Sequence, residues 1–169
     1  MEYRARYLGD ATLRLTTNQP INLDAGEMVV VSIERARSPA NHKHQFAWIR
    51  DAWASLPESA QMQPWAETPE TLRKHALIAT GYHQTLVLDC GANATAHRVK
   101  AALLAAEVKA HGYAIGQVRG PVVRIWTPES QSHRAMGGDR FKESKAAILD
   151  WIAAQIGVAP DELKQRSTP

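Results

Sequence analysis

The sequence predicts an α+β domain, a mixed or antiparallel small sheet with about four helices packed on it. Short β-branched runs gather near the N-terminus and again around a Gly-Pro turn, while longer segments carry apolar residues at helical spacing. The two kinds of segment never alternate as regularly as a doubly wound sheet requires.

Taken in order, Tyr3–Leu8 and Thr12–Thr16 read as short strands, followed by a turn at Asn18-Gln19-Pro20. Met28–Ile33 is the clearest strand, because Val29, Val30, Val31 and Ile33 favour extended backbone. Ser38 and Pro39 suit the cap and first position of a helix whose Phe46, Ile49, Trp53 and Leu56 recur along one side. Leu56-Pro57 stops it, and a polar connector, Glu58–Glu67, follows. Thr68-Pro69-Glu70 opens a second helix with Leu72, Ala76 and Ala79 on its stripe and Gly81 past its end.

Gln84–Asp89 reads as a buried strand. Thr95 offers a cap for a third helix, closed by Gly112. Tyr113–Val118 and Val122–Thr127 form a hairpin around Arg119-Gly120-Pro121. Pro128–Gly138 reads as a polar, flexible loop. Asp139 then caps a long helix carrying Phe141, Ile148, Trp151, Ile152 and Ile156, which Gly157 ends. No fixed-period repeat or low-complexity tract occurs. The connector is too short to force a boundary, so residues 1–169 are expected to form a single domain.

Composition narrows the function classes. The chain is 44% apolar and 22% charged, ordinary for a globular protein. Its single cysteine, Cys90, excludes an internal disulfide framework and suits a reducing compartment. No apolar run approaches the ~20 residues of a membrane span. The N-terminal residues lead into no signal-peptide core, so the expected location is cytoplasmic, with no membrane partner.

The net charge of +3 is unevenly distributed. Residues 34–50 hold four basic and one acidic side chain, 51–96 two basic and five acidic, and 97–145 nine basic and four acidic. Two basic stretches brought together by folding would make a polyanion-binding face; the alternative is a mixed, solvated surface.

The segment from Ile33 to His44 is the most informative. A strand leads into a helix N-terminus, whose unpaired N–H groups and dipole favour an anion. Arg35 and Arg37 precede that end, and His42 and Lys43 lie in its first turns, where a cation opposes the dipole unless an anion is bound. A phosphate site built from Arg35, Arg37, Ser38, His42 and Lys43 is one reading; a capped helix with solvated basic flanks is the other. Arg134, Arg140 and Lys142, in and after the 128–138 loop, would extend a track of phosphate contacts. Trp126 and Trp65 lie off the helical stripes, where they either stack a base or cover a core edge.

No catalytic residue, metal or cofactor is assigned. His42 and His44 are two apart and point to different faces of a helix, unlike the i,i+4 pair of a zinc helix. Cys90 lacks a local catalytic signature, and no nucleophile elbow, phosphate loop or dinucleotide fingerprint occurs.

Arg37-Ser38-Pro39-Ala40-Asn41-His42, Phe46-Ala47-Trp48-Ile49, Leu56-Pro57-Glu58-Ser59, Gln63-Pro64, Leu72-Arg73-Lys74 and Gly81-Tyr82-His83 together resemble a group of small tailed-phage and prophage proteins, mostly of unknown function. The Met136 loop, Phe141 and the final apolar helix extend that likeness over most of the chain. The Arg-Ser-x-x-x-His turn after a strand is also distantly similar to the lambda-type Orf (NinB) recombination-mediator family.

That second resemblance implies a dimer that binds single-stranded DNA, acting with host or phage recombination or replication proteins in the bacterial cytoplasm. The expected function is accordingly a phage-type DNA-binding accessory protein, a homodimer rather than an enzyme. The alternatives are a protein-binding module that inhibits or adapts a host nuclease or defence complex, and a nucleic-acid-processing enzyme.

Overall fold

The computed structural model describes residues 5–16, 22–31, 33, 39–132 and 135–166, without the side chains of 39–44 and 164–166. The chain divides into two units, residues 1–33 and 34–169. Among the described residues there are two antiparallel sheets and six helices, an α+β fold as the sequence predicts.

The first unit holds a hairpin of β1 (Ala5–Gly9) and β2 (Thr12–Leu15), with an irregularity between Tyr7 and Gly9. Asp10 and Ala11 turn the chain with φ of 48° and 56°, the paired positive values of a type I′ turn. The expected strand at Met28–Ile33 does not form: its described residues are irregular and exposed. High β propensity is insufficient here, because a strand exists only when a neighbour takes up its backbone donors and acceptors.

The second unit contains two apolar layers. Helix α1 (Pro39–Ala54) is followed by a one-turn helix, α2 (Glu58–Gln61), and a 3₁₀ turn at Pro64–Ala66, so the expected connector is itself folded. The Trp53 indole N–H donates to the Ala66 carbonyl (2.7 Å) and pins that turn to α1. Helix α3 (Pro69–Ala79) begins where expected. The Thr68 hydroxyl accepts from the Thr71 N–H at 3.1 Å, and the Thr71 hydroxyl accepts from the Thr68 N–H at 2.9 Å. This reciprocal cap satisfies two of the helix's orphan donors.

Helices α5 (Gly138–Ile156) and α6 (Pro160–Arg166) complete the helical layer. Its core joins Trp48, Ile49 and Ala52 of α1, Leu72, Ala76 and Leu77 of α3, Ile148, Leu149 and Ile152 of α5, and Leu163 of α6. Helix α5 starts at Gly138 behind a Gly137 cap, so Asp139 lies inside its first turn instead of capping it.

The second layer is a three-stranded sheet in the order β3 (His83–Asp89), β5 (Val122–Pro128), β4 (Ile115–Arg119). Helix α4 (Asn93–His111) lies over β4 and β5. It begins after Ala92, without side-chain capping from Thr95, and ends at Gly112, whose φ of 72° suits glycine. Gly116 permits the close approach of α4: a Cβ there would come within 3.0 Å of Ile125 Cδ1 and 3.3 Å of the Lys100 side chain.

Ala96, Val123 and Ile125 form the small core of this layer, with Val99, Leu103 and Cys90 packed around it. Its cover ends before β3, which the sequence reads as buried but which is an exposed edge strand. No helix among the described residues is long and apolar enough to cross a membrane.

At the surface of the helical core, His75 stacks on Trp65 (5.5 Å between ring centroids) and tilts against Trp151 (5.3 Å). Its Nδ1 lies 2.8 Å from the Tyr113 hydroxyl. Burial lowers the His75 pKa below its ordinary value, so the unfolded chain takes up a proton that the folded chain resists. This contribution is present in full above the unfolded pKa of about 6.5 and is lost as pH falls through the folded value. The urea midpoint of the wild-type protein should drop between pH 7.5 and pH 5.5 by more than that of His75→Phe, which keeps a stacked ring and cannot be protonated. Equal drops would remove His75 as the source.

Candidate nucleic-acid interface

The residues singled out in the sequence have different fates. Arg35, Arg37, Ser38 and Arg134 lie outside the described residues, and His42 and Lys43 fall within α1 with their side chains undescribed. Arg140 is held by Glu129: Nε donates to Oε2 at 2.8 Å, Nη2 donates to Oε1 at 2.5 Å, and the guanidinium sits 5.0 Å from the Tyr82 ring centre. Those hydrogen bonds, helped by the charge on Arg140 and opposed by burial, hold the Glu129 carboxyl below its ordinary range and raise the Arg140 pKa. Lys142 is largely exposed, with Nζ 3.9 Å from Asp139 Oδ1. Arg140 is therefore already neutralised, whereas Lys142 has only a long, solvated contact.

The loop after β5, open and polar in the sequence reading, is anchored by Gln131, which is only 4% exposed. Its Oε1 accepts from Arg73 Nη1 at 2.6 Å and from Gln45 Nε2 at 3.1 Å, while its Nε2 donates to Ser144 Oγ at 2.8 Å. Arg73 also donates from Nε and Nη2 to Glu70 at 2.9 and 2.7 Å, and its guanidinium lies over Phe46. Burial raises the Glu70 pKa, but hydrogen bonds and charge from Arg73 and Lys74 outweigh it and bring the carboxyl below its usual value.

Beside this network runs a groove of about 370 Å³ lined by Phe46, Glu70, Arg73, Lys74, Ser130 and Ser132, among others. Its cations are already paired. Arg73 is shared by Glu70 and Gln131, and Lys74 lies 3.3 Å from Glu70 and donates to the His111 carbonyl at 2.8 Å, at the end of α4. The groove is thus a structural seam with little charge left for an anion. No three described His, Cys, Asp or Glu side chains converge as metal ligands.

The open face of the sheet is different. Val123 and Ile125 point toward α4, so Val122, Arg124 and Trp126 point the other way. Strand register places Thr85, Val87 and Asp89 of β3 and Ile115, Gln117 and Arg119 of β4 on that same side. The central row runs Val87, Arg124, Gln117, all exposed; Trp126, half-buried, lies in the row between Thr85 and Ile115. Neither Arg119 nor Arg124 makes an ion pair among the described residues. Asp89 Oδ1 instead accepts from the Gly91 N–H at 2.9 Å.

The sequence reading singled out Trp126 but missed both arginines. Their signal lies in the alternation Val123-Arg124-Ile125, which sends Arg124 to the face opposite the core, and in a turn at Gly120-Pro121 that brings Arg119 opposite Val122.

Gln131→Leu should destabilise the fold by about 2–4 kcal/mol, because it leaves the Arg73 and Gln45 donors buried without their acceptor. Urea unfolding would measure it, and Arg140→Ala at the solvent-exposed pair should change the midpoint far less. No family model, curated protein or solved structure matches the chain.

Proposed function

We propose that this protein binds single-stranded DNA as an accessory to recombination or replication, using the open face of its three-stranded sheet. One observation carries the reading: Arg119 and Arg124 are exposed, lack ion pairs among the described residues, and share a face with Trp126. Neighbouring strands and alternate residues space their Cα atoms by about 8 Å, and flexible guanidinium stems can bridge successive phosphates from there. An aromatic ring on the same surface offers a stacking platform that any base can use, and splayed bases are available in single strands but not inside a duplex.

The resemblance to phage proteins and to the Orf (NinB) family supports the same substrate class, and Arg35, Arg37, Ser38, His42, Lys43, Arg134 and Lys142 are its further proposed contacts, while Arg140 is set aside because Glu129 already neutralises it. The interaction is chiefly electrostatic, so affinity falls steeply as salt displaces the DNA's counterion advantage.

Fluorescence anisotropy with labelled single-stranded and duplex oligonucleotides tests the proposal. The wild-type protein should prefer the single strand, and Arg119→Ala/Arg124→Ala should lower the log–log salt slope by about 1.4, the value for two lost single-strand phosphate contacts. Arg37→Ala/Lys43→Ala, measured in parallel, reads the helix-start contribution. Absence of binding by the wild-type protein at low salt overturns the proposal.

A further inference from the structure

Among the described residues, the outer edge of β3 is unpaired and unprotected. Leu86, Val87 and Leu88 are 44%, 55% and 43% exposed, although the facing residues Ile125 and Val123 are 1% exposed. The strand pairs with β5 over seven consecutive residues without a bulge. From Gln84 to Leu88 it carries no charge and no proline. Edge strands that stay single are normally blunted by lysine, proline, bulges or cover. The opposite edge, β4, is shorter and contains Gly116, although both strands end in a charged residue, Arg119 in β4 and Asp89 in β3.

We infer that the β3 edge pairs antiparallel with the same strand of a second copy, about a twofold axis at Val87, to make a continuous six-stranded sheet. The occupant follows from the strand's own pattern. An isologous antiparallel pair sets residue i against j and j against i, and Leu86-Val87-Leu88 reads the same in both directions. Pairing about Val87 puts Leu86 of each copy opposite Leu88 of the other on the α4 side, and the two Val87 side chains opposite each other on the open side.

The same register brings Asp89 opposite Thr85, whose hydroxyl can donate to the carboxylate. The two Asp89 side chains lie at opposite ends of the ladder, so no like charges are opposed. Each of the three exposed apolar residues gains an apolar cross-strand neighbour, and the backbone groups along the edge gain partners.

Pairing is independent of the proposed DNA binding. Where both hold, the central row of the open face runs Gln117, Arg124, Val87 and then the same residues reversed, so the arginines of the two copies serve one uninterrupted surface.

Analytical ultracentrifugation of the full chain, from micromolar to roughly 100 μM, tests the pairing without DNA. The wild-type protein should approach the mass of two chains. Val87→Lys, which sets two ammonium groups against each other at the dyad, should reduce it to one chain with an unchanged far-UV spectrum.

Register is read independently by oxidation in a Cys90→Ala background. Val87→Cys should form a disulfide-linked dimer, while Gln117→Cys on the other edge strand should not. A wild-type monomer over the whole range overturns the inference and leaves the edge to a strand from elsewhere in the chain or from another protein. A dimer that survives Val87→Lys and does not cross-link through Val87→Cys also overturns it, placing the contact on another surface.

Discussion

The buried amide of Gln131 is the constraint on which the arrangement of the second unit depends. Its oxygen is shared by Arg73 of α3 and Gln45 of α1, and its nitrogen donates to Ser144 of α5. One side chain from the loop after β5 thereby ties three helices to the end of the sheet. Neutral apolar contacts would tolerate small slips between those helices, whereas directional hydrogen bonds converging on one amide admit few alternatives, even with Gln45 Oε1 buried and unpartnered among the described residues. Arg73 is costly to bury, and the cost is met because Glu70 and Gln131 take its donors in different directions. Lys74 continues the seam, donating to the last carbonyl of α4 where a cation also favours the helix dipole.

From that seam the molecule builds two unequal layers. The helical layer draws large side chains from four helices into one core, so its stability is spread over many contacts. The apolar core of the sheet layer is small, built on Ala96, Val123 and Ile125 beneath a single helix. With one helix on three strands, one face and one edge lack comparable cover among the described residues of the second unit. Antiparallel sheets accept water on one face, and the Arg124 and Gln117 positions match that arrangement. Leu86 and Leu88 do not, since they are apolar residues on the covered side that the covering helix does not reach.

Much of this order was legible in the sequence. Helical periodicity identified α1, α3, α4 and α5, because each buries a stripe and ends at a glycine or before a proline, signals that act within a few residues. The β4–β5 hairpin was visible for the same reason, with Gly120-Pro121 forming a local turn. The errors fall where the deciding partner is remote in sequence. Met28–Ile33 has the composition of a strand, but the described residues there have no strand beside them. Gln84–Asp89 has the composition of a buried strand, yet its neighbours leave it on an edge. Gln131 looked like part of a mobile loop because its three partners lie 13 to 86 residues away. The arginines of the open face are not a cluster along the chain: strand pairing collects Arg119 and Arg124 from separate strands.

That last point bears on how a small protein of modest net charge can keep cations exposed on one face. Contiguous charge, as at Arg35–Lys43, repels itself unless an anion is present. Charges delivered by adjacent strands are separated by a rigid ladder, so they can remain unpaired at little mutual cost. Arg140, brought against Glu129, shows the contrasting outcome, in which folding supplies the counter-charge and the cation becomes part of the structure. Arg119 and Arg124 receive no such partner among the described residues. The fold thus distinguishes cations with an assigned anion from those that still face one in solution. Formal charge counted along the sequence weighs both kinds equally, which is why a basic patch has to be read from the sheet register and not from the composition.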